Sequence, residues 1–239
     1  MIKAIFFDLN GTLIDICTSE SDENIYRTTA NFLDYHGVKI TPEKLRDEYF
    51  YHLHRQKENS PEQFPEFDVI KVFSRIITDH GGKDSVMLAE NCASVFRAAG
   101  RYQLQLYDGV LPVLRELQKN YRFAAVSDGQ KIWALPELAS VGAAEFFPEV
   151  IVSSDFGFRK PDQRMYQMAM DKLGVKPSEV IFVGNDMLRD IYGAHEAGMK
   201  TVFFRSNQGD HNFHGVEADY IIYNFPQLLE AVDFLTKKQ

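Results

Sequence analysis

The sequence predicts an α/β fold, a doubly wound parallel sheet with an all-helical segment inserted after its first strand. Three observations carry this prediction. Six short apolar runs, at 2–7, 123–126, 150–152, 180–183, 201–204 and 220–223, are mostly Val, Ile and Phe without polar alternation. Strands buried on both faces of a parallel sheet read this way. From Tyr107 onward the runs alternate with stretches of helical periodicity, which implies right-handed βαβ crossovers. Between Asp15 and Gln105 no strand-like run occurs, and four segments repeat their apolar residues at helical spacing.

Taken in order, the run at 2–7 is the first strand. Segment 23–37 follows the acidic Glu20–Glu23 stretch, whose charge suits a helix N-terminus. Segment 42–57 opens on Thr41-Pro42, a capping hydroxyl followed by proline in the first turn. Segment 66–80 comes after the loop Ser60-Pro-Glu-Gln-Phe-Pro65, and segment 85–99 is expected to be capped by Asp84. Gly37, Gly81-Gly82 and Gly100 are the expected stops. In the second part, helical patterns at 111–120, 163–173 and 190–197 separate the strands, and Gly174 and Gly198 end the last two. The expected domains are a core of 1–14 and 106–239 and a four-helix insertion at 15–105.

Composition narrows the function. The 239 residues suit one large domain or two small ones. A balance of 34 acidic to 26 basic side chains, net −8, argues against a broad nucleic-acid or anionic-membrane surface. Two cysteines, Cys17 and Cys92, cannot build a disulfide framework. The four apolar residues before Asp8 are too few for a signal-peptide core, and no window approaches 18 uncharged apolar residues. The expected protein is cytoplasmic, a monomer or homodimer, with a small-molecule partner, no nucleic acid and no membrane.

In an open α/β sheet, ligands bind beyond the carboxyl ends of the strands. Four clusters fall there: Asp8-Leu-Asn10-Gly11-Thr12, Ser127-Asp128-Gly129, Lys160 after the third run, and Asn185-Asp186 with Asp190 one turn on. Asp8 and Asp186 from different strands suit a hard cation such as Mg²⁺. Lys160 and Ser127 would hold the oxygens of a phosphate. Gly11 and Gly129 would let main-chain N–H groups approach an anion. A carboxylate facing a neutralised phosphate is a nucleophile that yields an aspartyl-phosphate.

In order and spacing, Phe7-Asp8-Leu9-Asn10-Gly11-Thr12-Leu13, Val126-Ser127-Asp128-Gly129, Lys160-Pro161-Asp162 and Val183-Gly184-Asn185-Asp186…Asp190-Ile191-Tyr192-Gly193-Ala194 resemble the motifs of the haloacid dehalogenase-like hydrolase superfamily. The helical insertion is similar to its C1-type cap, so the resemblance spans essentially the whole chain, with a Rossmann-like core. It implies Asp8 as nucleophile, with Ser127 and Lys160 orienting and stabilising the transferring group. It also implies Mg²⁺ held by Asp8, the main-chain carbonyl of Asn10 and residues of the fourth motif (Asn185, Asp186, Asp190), and a cap that selects a small phosphate monoester. Gly11, Thr12, Asp128 and Gly129 would line the substrate.

Two positions depart from that pattern. The superfamily's phosphatases carry an acid where this chain has Asn10, and an amide transfers no proton at neutral pH. Asn185 stands where many members have the first aspartate of the fourth motif, so the site holds one negative charge fewer. Other readings of the scaffold stay open. Hydrolytic dehalogenation without metal draws on Tyr166, six residues after Lys160, and on Arg46 as a halide-binding arginine; Asp128, an anion, would repel halide. Phosphonate cleavage would need one of the cap lysines Lys39, Lys44, Lys57, Lys71 or Lys83. A phosphate-ligand-binding protein of low turnover is the remaining reading. His52 and His54 beside Tyr49, Phe50 and Tyr51 read as an aromatic packing face, Trp133 as packing on the helix after the second run, and Asp210–His214 as a solvated loop.

Overall fold

The computed structural model describes residues 1–212 and 215–237. In chain order its elements are β1 (Ala4–Phe7), β2 (Ile14–Thr18), α1 (Glu23–Tyr35), α2 (Pro42–Glu58), α3 (Val69–Asp79), α4 (Val86–Ala99), β3 (Arg101–Leu106), α5 (Val110–Leu117), β4 (Arg122–Ser127) and α6 (Lys131–Ser140). There follow β5 (Glu149–Val152), α7 (Gln163–Leu173), β6 (Val180–Gly184), a π-helical turn (Met187–Tyr192) running into the short α8 (Gly193–Glu196), β7 (Lys200–Phe204), β8 (Tyr220–Ile222) and α9 (Leu228–Lys237).

Six strands form one parallel sheet in the order β5-β4-β1-β6-β7-β8. The doubly wound core expected from the apolar runs is present, and burial on both faces explains why those runs lack polar alternation. Ile5, Phe7, Phe123, Ala125, Ile181 and Val183 pack one face against α5, α6 and α9. Ala4, Phe6, Ala124, Val126 and Phe182 pack the other against Met165, Tyr166 and Ala169 of α7 and Ala194 of α8. With both faces covered, every position of β1 is fully buried.

Helices α1–α4 enclose a separate apolar cluster built on Leu33, Leu45, Tyr49, Phe73, Ile76 and Phe96. Thr41 caps α2 by accepting from the Lys44 N–H. For α4 the structure corrects the expectation: Ser85 is the cap, accepting from the Leu88 N–H, while Asp84 accepts from Ser74 Oγ at 2.9 Å. A second correction concerns strands. Segment 15–105 carries no strand-like run, yet β2 and β3 pair antiparallel across its two ends, Ile14 opposite Leu106. These strands join the helices to the sheet.

The helical layer is also pinned from the side. Gln130 accepts from the Val69 N–H and donates to Phe67 O, at 2.9 and 2.8 Å. Trp133 of α6 packs into the helical cluster and donates from Nε1 to Ala93 O at 2.9 Å, so it bridges two cores rather than packing within one. Arg97 of α4 forms a two-pronged pair with Glu137 of α6 at 2.7 and 3.2 Å and lies over the Trp133 ring.

Candidate active site

Register decides where the strand-end residues meet. Phe7 lies opposite Ala125 on one side and Val183 on the other, so Asp8, Ser127 and Asn185 leave the sheet at one edge. The Asp8 N–H donates to Val183 O at 3.0 Å, extending the ladder to the residue that carries the carboxylate.

Lys160 enters from the loop before α7 and lies at the centre. Its Nζ is 2.8 Å from Asp8 Oδ1 and 2.6 Å from Asp190 Oδ1, with the side chain 1% exposed. Burial works against the ammonium charge, but Asp190, Asp8 and Asp128 outweigh it and hold Lys160 above the usual lysine range. Asp190 Oδ2 accepts from the N–H groups of Asn185 and Asp186, both at 3.0 Å. Burial pushes the Asp190 carboxyl up to about 6, against the pull of Lys160 and with repulsion from Asp8.

Thr12 links the first and fourth clusters. Its Oγ1 is 3.2 Å from Asp8 Oδ2 and 3.0 Å from Asn185 Oδ1, and its single hydrogen is shared between them. Gly11 at φ +89° is what lets Asn185 sit so close. A Cβ there would come within 2.3 Å of Asn185 Nδ2. The main-chain N–H groups of Gly11 and Gly129, expected to face an anion, are already used: one donates to Ile14 O and the other to Ser153 Oγ, both at 2.8 Å. At these two positions glycine serves backbone shape. Ser127 Oγ is held only by a long contact to Asp128 O, 3.4 Å, so its hydroxyl is nearly free to turn.

Asp186 and Asp128 differ from the simple expectation. Asp186 caps the π-helical turn, Oδ1 accepting from the N–H groups of Leu188 and Arg189. Its Oδ2 accepts from Arg189 Nε and Nη2 and from the Asp210 N–H. Burial would raise this carboxyl, but Arg189 holds it below the usual carboxylate range. Asp128 Oδ1 accepts the Lys160 N–H at 2.9 Å. Its buried Oδ2 has no hydrogen bond, with Arg159 and Arg189 each 3.6 Å away.

The expected metal ligands therefore divide. Asp190 faces Lys160 and two amides, and Asp186 is saturated by donors including a guanidinium. Among the described residues no group of three or more His, Cys, Asp and Glu side chains is gathered for a metal. Asp8 and Asn185 remain as hard oxygen donors. Asp8 Oδ1 accepts from Lys160, while Asp8 Oδ2 and Asn185 Oδ1 share the Thr12 hydroxyl, so lone pairs are left on all three. This donor chemistry fits Mg²⁺.

Arg46 is not brought to this cluster. It contacts its neighbour Asp47 at 3.3 Å and lines a separate cavity of about 410 Å³ with Asp22, Tyr26, Arg27 and Glu43. Beside Asn10 lies a cleft of about 600 Å³, lined also by Asp15, Arg97, Gln103, Asn207 and Gln208. Sequence reasoning missed these five, and Arg189 with them. For Arg189 a signal existed, since it follows Asp186 by three residues at a helix start. The glutamines carry none. The loop after β7 is solvated as expected, with Asp210 and Asn212 exposed, and its main chain also touches the site: Asp210 N–H reaches Asp186, Asp210 O accepts from the Met187 N–H, and a Cβ at Gly209 would come within 2.3 Å of Asn185 O. Phe213 and His214 lie outside the described residues.

Known proteins resemble the chain along nearly its whole length. Glyceraldehyde 3-phosphate phosphatase of Pyrococcus furiosus is 28% identical over 97% of this chain and 93% of its own length. Rat N-acylneuraminate-9-phosphatase is 24% identical over 97% and 95%. Among solved structures, a 2-haloacid dehalogenase from Pseudomonas syringae pv. Tomato superposes with a TM-score of 0.71, at 23% identity over 98% of this chain and 99% of its own. A haloacid dehalogenase-type phosphatase from Thermococcus onnurineus gives 0.64, at 23% over 97% and 98%. Both of these likenesses are of fold. With the model of the haloacid dehalogenase-like hydrolases matching residues 2–198, and an aspartate, a lysine and a fourth-motif acid joined at one sheet edge, the chain belongs to that hydrolase family.

Proposed function

We propose that the protein is a Mg²⁺-dependent phosphatase of small phosphate monoesters, acting through an aspartyl-phosphate on Asp8. The observation that carries this reading is Lys160 Nζ held between Asp8 and Asp190 in a buried site. Lys160 neutralises the nucleophile and is placed to neutralise the oxygens of an incoming phosphate, while Asp190 keeps the ammonium in position. The Ser127 hydroxyl is free to donate to a phosphate oxygen. Mg²⁺ would be held by Asp8, the Asn10 main-chain carbonyl and Asn185 Oδ1, and would supply further neutralisation of the phosphate. Asp186 holds Arg189 and supports this set from behind.

The cleft beside Asn10 receives the leaving alcohol. Its amides both donate and accept hydrogen bonds and its guanidinium donates, which suits a short hydroxylated or carboxylated group. The phosphatases named above make glyceraldehyde 3-phosphate and N-acylneuraminate 9-phosphate the first compounds to try. Halide displacement is less well served, because Asp128 contributes a carboxylate to the cluster and Arg46 lines another cavity. The exposed, unpaired thiol of Cys17 supports a reducing, cytoplasmic location.

The test is phosphate release from a panel of monoesters, with and without Mg²⁺, with Asp8→Asn as the blank. Mg²⁺-dependent release that vanishes in the blank is expected. Release no greater than the blank across the panel overturns the reading.

A further inference from the structure

We propose that Asp15 is the general base for hydrolysis of the phosphorylated Asp8, taking the place of the acid that Asn10 lacks. The proposal rests on the phosphatase reading above. An amide at position 10 cannot accept a proton from the water that must attack the phosphorus. Some other group near that point has to.

The turn after β1 brings Asp15 to the cleft that Asn10 lines. The Ile14 N–H donates to Leu9 O, the Gly11 N–H donates to Ile14 O, and Asn10 and Ile14 form a bridge. The chain thus doubles back so that Asp15, the next residue, lines the same cleft as Asn10. Among the described residues lining that cleft, Asp15 is the sole carboxylate. Two other acids shielded by the helical layer look elsewhere: Glu20 bonds Tyr49, and Glu66 bonds Ser153.

The surroundings of Asp15 differ in kind from those of Asp186 and Asp190. Those two are neutralised by Arg189 and Lys160. Asp15 accepts side-chain amide hydrogens, from Gln103, from Gln105 at 3.4 Å and from Gln208 at 2.9 Å. Amides orient the carboxylate by hydrogen bonds, without the opposing full charge that Arg189 and Lys160 bring to the other two. The three come from β3 and from the loop after β7, and they fix the orientation of the carboxylate.

In the step, the water oxygen bonds to phosphorus as the bond from phosphorus to Asp8 Oδ breaks. That electron pair returns Asp8 to a carboxylate, and the water proton passes to Asp15 and then to solvent. Nothing is oxidised or reduced.

The experiment uses the full chain with para-nitrophenyl phosphate, whose leaving group needs no proton, so that only the second half-reaction is probed. In Asp15→Asn we expect a burst of nitrophenolate equal to the enzyme, then steady turnover lower by about 10²-fold or more. Acid-quenched protein should carry phosphate on Asp8. Adding Asn10→Asp to that variant should restore steady turnover, which a damaged fold would not allow. Asp15→Asn turnover within a few-fold of wild type overturns the proposal, as does loss of burst and turnover together without rescue. Wild type no faster than Asp8→Asn is a separate signature, the failure of the phosphatase reading itself.

Discussion

Among single residues, Lys160 shows how a buried charge is kept. A lone ammonium in that position would lose its proton or unfold its surroundings, yet two carboxylates within 2.8 Å hold it charged. Removing the cation leaves Asp8 and Asp190 facing each other unneutralised. Lys160→Met is therefore expected to cost about 3–5 kcal/mol by urea denaturation and to abolish phosphate release. Asn10 is the opposite case, a neutral side chain where proton transfer would help. With alkyl phosphates, whose leaving oxygen needs a proton, Asn10→Asp should raise turnover by about 10-fold or more. Steady-state phosphate release measures it, and unchanged turnover would show that position 10 is not where a proton is missed.

Among the secondary-structure elements, the contact that joins α4 to α6 matters most. Arg97 meets Glu137 with two nitrogens, and the Glu137 side chain is 3% exposed. Arg101 at 4.0 Å compensates only in part. Arg97→Leu is expected to lower stability by about 2–4 kcal/mol and to loosen the helical layer, read as faster amide exchange in α4 than in α7. The elements also differ in how plainly the residues announce them. Helices α1–α4 are legible because each presents an apolar stripe and a polar cap. The pair β2–β3 is not, because its strands lie more than 80 residues apart in the chain and each is recognisable only beside the other. Asp84 and Ser85 show the same limit at finer grain: both residue types cap helices, and the backbone angle at 85 selects the serine.

For the molecule as a whole, buried acids make stability depend on pH. Asp190 rises from an ordinary 3.8 to about 6 in the fold. A carboxyl raised in the folded state binds its proton more tightly there than in the unfolded chain, so the stability it contributes is present below pH 4 and is lost as pH climbs through 6. The advantage of wild type over Asp190→Asn in chemical denaturation should therefore shrink between pH 4 and 7. An advantage that grows over that range would contradict the burial argument. This dependence belongs to the assembled protein, since burial in the fold causes it.

Periodicity and strand-end chemistry are local properties, so the sheet, the helical insertion and the four clusters at the strand ends can be read from the residues themselves. Asp8, Thr12, Lys160, Asn185 and Asp190 are legible there and do meet. Which atoms face which is a matter of packing. Packing turned Asp186 toward Arg189, spent the Gly11 and Gly129 amides on the backbone, left Arg46 at another cavity, and set Asp15 and Gln208 beside Asn10. Those outcomes depend on strand register and on contacts across nearly 90 to nearly 200 residues of chain, such as Asp15 with Gln103, Gln105 and Gln208. A side chain's partner at that distance is chosen by how the elements come together, and that choice leaves no periodic trace in the sequence.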